Sequence, residues 1–93
     1  MVNKTWVERK KVMRVFGYKK NKKKLLELKE VTYQCTIDEL DKIIEFFSEV
    51  KSQHSKVIGK TEMCHSHYQD WDDEWTSKNP DVIIATTHMK DEL

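Results

Sequence analysis

The stretch from Thr36 to about Lys56 constrains this chain most, because its pattern fits one structure only, an amphipathic helix. Thr36-Ile37-Asp38-Glu39 has the form of a capping box. In that motif the Thr36 hydroxyl accepts from the Glu39 amide, and the Glu39 carboxylate reaches back to the Thr36 amide. Cys35 and Leu40 occupy the two positions of a hydrophobic staple. Leu40, Ile43, Ile44, Phe47 and Val50 recur at the spacing of one helix face and are the predicted buried stripe. Asp38, Asp41, Lys42, Glu45, Glu49 and Lys51 fall mostly elsewhere. The early acids suit the positive end of the helix dipole.

Two strand patterns precede the helix. From Trp6 to Tyr18, the residues Val12, Met13, Val15, Phe16 and Tyr18 favour β-structure, and Gly17 marks a bulge or the end of the strand. Lys19-Lys20-Asn21-Lys22-Lys23-Lys24 is a polar break in which Asn21 can take a positive φ. Leu25 to Cys35 is the second run. Leu26 and Leu28 have one parity and Val31, Tyr33 and Cys35 the other, so a bulge is expected near Lys29 or Glu30. The two runs form an antiparallel hairpin.

After the helix, Gly59 predicts a turn. Thr61 to Trp71 reads as a third strand, with His65, His67, Gln69 and Trp71 on one face and Cys64, Ser66, Tyr68 and Asp70 on the other. Asp72-Asp73-Glu74-Trp75 reads as a short helical turn ended before Asn79-Pro80. Asp81 to Thr87 is an apolar run expected to lie centrally, buried on both faces. The predicted fold is α+β: a single domain over 1–93, in ββαββ order, with an antiparallel sheet of three to four strands and the helix across one face. Ile44 and Phe47 are expected in its core.

Hydrophobic content of 38% and charged content of 35% describe a soluble chain, near the lower size limit for a self-sufficient core. No apolar run approaches the roughly 20 residues that span a bilayer, and Met1 to Trp6 lacks the apolar core of a signal peptide. Two cysteines, Cys35 and Cys64, make no disulfide framework, so a reducing cytoplasm is expected and Cys35 reads as a small buried residue. Lys90-Asp91-Glu92-Leu93 matches a luminal retrieval signal. Without a leader it reads as a charged tail.

The net charge of +1 conceals an asymmetry. Residues 1–30 hold eleven basic and three acidic residues, a charge of +8, which leaves −7 for the remainder. Such polarity steers charged partners, or it reflects two solvated surfaces.

Four candidate sites follow. Cys64, His65 and His67, with His88 or Asp70, hold zinc-ligand chemistry. They lack paired C-x₂-C or H-x₃-H spacing, and histidines beside tryptophans commonly serve packing. A Cys-His pair such as Cys64 with His65 or His88 could make a thiolate nucleophile, but adjacent strand residues point to opposite faces, which argues against Cys64 with His65. No phosphate-cradling loop or calcium loop is present in the sequence, so no enzyme activity and no cofactor are expected. Lys19, Lys20, Lys22, Lys23 and Lys24, with Trp6, Phe16 and Tyr18 as stacking faces, could bind nucleic acid. Lysines at a hairpin tip also protect a sheet edge. Tyr68, Asp70, Trp71, Asp72, Asp73, Glu74 and Trp75 combine aromatic anchors with carboxylates, the make-up of a protein-binding site for a basic partner. Core anchors with a solvated rim have the same composition. An unpaired edge strand also leaves room for a homodimer.

Glu30-Val31-Thr32, Thr36-Ile37-Asp38-Glu39-Leu40, Phe46-Phe47, His65-Ser66-His67-Tyr68-Gln69-Asp70-Trp71 and Pro80-Asp81-Val82-Ile83-Ile84 follow one another in order. This arrangement resembles small α+β bacterial immunity proteins of polymorphic toxin systems, over roughly residues 30–85. The resemblance implies a cytoplasmic, non-catalytic inhibitor that occludes a cognate toxin domain, with no catalytic residues carried over. It leaves the basic N-terminal hairpin outside its reach.

Overall fold

The computed structural model describes residues 13–87. Trp6, His88 and the Lys90–Leu93 tail lie outside them. The described residues contain four strands in ββαββ order, in two separate two-stranded antiparallel sheets, with one main helix. The expected single sheet of three to four strands is therefore corrected. The chain divides into two compact units, one up to Gln34 and one from Cys35 onward.

The described residues of the first unit form the basic hairpin. β1 (Val15–Gly17) pairs with β2 (Leu26–Leu28) in the register Val15 with Leu28 and Gly17 with Leu26. Gly17 ends its strand, and a Cβ there would meet Leu28 Cδ1 at 3.2 Å. Bulk at this position would push on the leucine. The lysine turn closes through the Lys22 amide to the Lys19 carbonyl at 3.1 Å, with Asn21 at φ 62° as the pattern predicts. On the exposed face of the hairpin, Arg14 grips Glu27 through two 2.9 Å hydrogen bonds and lies 4.9 Å over the Phe16 ring. The second strand is shorter than expected. Val31, Tyr33 and Cys35 are exposed, so no bulge turns them inward and Cys35 is a free surface thiol.

The second unit is built on α1 (Ile37–Ser55). Thr36 caps it as the sequence predicts: Thr36 Oγ1 accepts from the Glu39 amide at 3.1 Å, and Glu39 Oε1 accepts from the Thr36 amide at 2.8 Å. The staple positions Cys35 and Leu40 are both exposed. Phe46, Val50 and His54 are the buried residues of α1, with Ile43 half-buried. Ile44 and Phe47 are instead 55% and 39% exposed. The buried stripe is thus rotated by one residue from the expected one, because Phe46 finds aromatic partners and His54 finds hydroxyl partners across the unit.

β3 (Met63–His67) pairs antiparallel with β4 (Ile83–Thr87), Ser66 opposite Ile84 and His67 opposite Ile83. Gly59, at φ 87°, forms the turn before β3. The strand expected to run to Trp71 stops at His67 and gives way to a single helical turn, α2 (Tyr68–Trp71). Asp72 to Trp75, expected to be helical, is a hydrogen-bonded turn. β4 is not central: Ile84 and Thr86 are half-buried, whereas Ile83, Ala85 and Thr87 are exposed. The face that carries Ser66 and Thr86 meets α1 at His54. The imidazole lies 2.7 Å from Thr86 Oγ1 at Nδ1 and 2.9 Å from Ser66 Oγ at Nε2. Either hydroxyl can donate or accept, so the buried ring is satisfied in either tautomer. Among the described residues, no helix is long and apolar enough to cross a membrane.

Candidate functional site

The acidic-aromatic segment is positioned by α2. Tyr68 and Trp71 lie three residues apart and so share one side of the helical turn. Both pack on Phe46, which is 1% exposed. Phe46 meets the Tyr68 ring edge-to-face at 5.3 Å and the Trp71 ring at 5.6 Å, and Tyr68 and Trp71 are themselves 5.6 Å apart. Asp81 fixes where the turn begins. Its Oδ1 accepts from the Gln69 amide at 2.8 Å, and its Oδ2 holds His67 Nδ1 at 2.6 Å.

Asp72 is turned inward. It accepts the Tyr68 hydroxyl at 2.7 Å and the Glu74 amide at 3.0 Å, and Lys42 Nζ lies 3.9 Å away. The Tyr68 hydrogen bond, with help from the Glu74 amide and Lys42, holds the Asp72 carboxyl below its ordinary range against the opposing effect of burial. Burial first, then the Asp72 carboxylate, pushes the Tyr68 phenol up to about 12. Lys42 also sits 5.8 Å from the Trp71 ring centre, within cation–π range. Trp75 is half-buried and donates its indole N–H to the Pro80 carbonyl at 3.1 Å.

Of the seven residues in this segment with a predicted binding role, Tyr68, Trp71, Asp72 and Trp75 are therefore partly internal. Asp70, Asp73 and Glu74 face solvent, and their carboxylates pair with no side chain among the described residues. An open groove of about 400 Å³, which Asp70 alone of the three lines, runs between α1 and the end of β3. Phe46, Val50 and Trp71 give it apolar walls, and Glu49, Gln53, His65, His67 and Asp70 give it a polar rim.

Among the described residues, Cys64, His65, His67 and Asp70 are not gathered into a ligand set, and His88 lies outside those residues. The His65 and His67 rings are 5.4 Å apart, Cys64 has the opposite strand parity, and His67 Nδ1 is taken by Asp81. Among the described residues no three His, Cys, Asp or Glu side chains are placed to hold a metal ion. Lys19, Lys20, Lys22, Lys23 and Lys24 are all exposed around their turn, next to an exposed Tyr18.

Glu49, Gln53, His54 and Asp81 make structural contacts that their sequence readings do not give, Glu49 reading as a solvated helix position and His54 as the histidine that precedes the Cys64 cluster. Glu49 and Gln53 carry an i, i+4 signal and do bond, Gln53 Nε2 donating to Glu49 Oε2 at 2.8 Å. His54 and Asp81 carry no local signal, because their partners lie far away in sequence. A second surface is also apolar: Ile37, Leu40, Ile44 and Phe47 line one exposed flank of α1.

No protein-family model, no curated protein and no solved structure matches this chain.

Proposed function

We propose that this chain is a small non-catalytic protein-binding protein, one that neutralises a toxin domain by occluding it. The observation that carries the reading is the trio of solvent-facing carboxylates, Asp70, Asp73 and Glu74, beside the packed rings of Phe46, Tyr68 and Trp71. Charges mounted on a packed platform recognise a basic surface with little ordering to do on binding. The exposed apolar flank of α1 adds contact area of the kind that marks interaction surfaces. The resemblance to immunity proteins agrees with such a role.

The test is recovery of the protein from its own cells at gentle salt, followed by expression of any stoichiometric partner alone. Growth arrest by that partner, relieved by co-expression of this chain, is the expected result. The triple variant D70K/D73K/E74K should lose the rescue while keeping its melting temperature. A triple variant that rescues as well as wild type removes this surface from the reading.

The exposed lysine turn favours a second reading, nucleic-acid binding. Salt-sensitive retention on RNA or DNA that disappears when Lys19, Lys20, Lys22, Lys23 and Lys24 become Ala would establish it.

A further inference from the structure

The groove beside Trp71 combines an aromatic wall with two carboxylates in its lining. Its volume of about 400 Å³ lies in the range of small-ligand sites, and it has apolar walls and no lysine or arginine in its lining. Two carboxylates stand on its rim from different elements, Glu49 on α1 and Asp70 on α2. Asp70 makes no hydrogen bond or ion pair among the described residues, and Glu49 uses one oxygen for Gln53. A phosphate or carboxylate guest would meet like charge there. A cationic guest meets charge complementarity and an aromatic wall at once.

The protein already shows this recognition on a smaller scale. The Lys42 ammonium lies 5.8 Å from the Trp71 ring centre and 3.9 Å from the Asp72 carboxylate. We propose that the groove receives a basic side chain, arginine in preference to lysine, projected by a protein partner. This rests on the protein-binding reading above and deepens it: the groove is the socket and the outer carboxylates are the steering field. Arginine is favoured because a planar guanidinium can stack on an indole while donating to two carboxylates, which a compact ammonium cannot do.

The probe is N-acetyl-arginine amide, titrated into the full chain at low salt, with N-acetyl-norleucine amide as the neutral control. Nuclear magnetic resonance reads the Trp71 indole N–H and the ring protons of His65 and His67. Saturable shifts with a Kd of about 1 mM are expected for the arginine compound only. The double variant E49Q/D70N should weaken them by about tenfold. Gln53→Glu, which adds a carboxylate to the rim, should tighten them. An arginine compound that causes no shifts, or shifts equal in wild type and E49Q/D70N, overturns the proposal, as do equal shifts from the norleucine control. Co-purification reads the wider surface separately. A partner held equally well by E49Q/D70N sinks the socket and leaves the protein-binding reading standing. Arginine binding with no partner recovered leaves a cation-binding groove and overturns the partner-borne arginine together with the protein-binding reading.

Discussion

A single hydrogen bond, Tyr68 Oη to Asp72 Oδ2, ties the aromatic base of the candidate surface to its inward-facing acid. It is strongest while the phenol is protonated and the carboxyl ionised. The Asp72 contribution to stability is complete above the carboxyl's unfolded value of about 3.9. It is lost as pH falls through the lower folded value. The Tyr68 contribution is complete below the unfolded value of about 10, and it is lost as pH climbs towards about 12. Urea midpoints measured across both limbs should therefore fall at each extreme. Asp72→Asn should flatten the acid limb, and Tyr68→Phe should flatten the alkaline limb and shrink the acid one. Profiles parallel to wild type in both variants would show that the pair is not coupled to folding.

At the scale of elements, α1 presents two apolar flanks, and only one of them is buried. Phe46→Ala should cost about 3–5 kcal/mol, since it removes the ring on which Tyr68 and Trp71 pack. Ile44→Ala, on the exposed flank, should cost only about 0.5 kcal/mol. Equal losses in urea unfolding would place Ile44 in the core after all. The helix, its Thr36 cap and the Asn21 and Gly59 turns were legible in the sequence because each is decided within a few residues. Helix rotation was not. Apolar side chains from Ile43 to Val50 cover a wide arc, and the choice among them is made by His54 reaching Ser66 and Thr86 and by Phe46 meeting α2. The early end of β3 was hidden for the same reason: it depends on Asp81, distant in sequence, binding the Gln69 amide. The segment Tyr68 to Trp75 stood out by composition alone. Its division into packed members and solvent-facing ones awaited the packing of Tyr68.

Over the whole molecule, the basic and acidic parts of the sequence fall largely in different units: the lysine hairpin belongs to the unit that ends at Gln34 and the carboxylate surface to the one that begins at Cys35. Each unit holds a sheet of two strands. In such a sheet every strand is an edge, and among the described residues β4 has a strand neighbour on one side only. Val82-Ile83-Ile84-Ala85-Thr86-Thr87 is a run of six residues without charge, Pro or Gly. Segments of that kind template their own addition once loosened. Partial unfolding should therefore lead to nucleated fibre growth, with a lag abolished by preformed seeds. Ile83→Lys, at an exposed position of β4, should lengthen that lag severalfold under conditions where the folded protein is as stable as wild type. Thioflavin fluorescence with an unchanged lag would instead locate the growth-competent segment elsewhere in the chain.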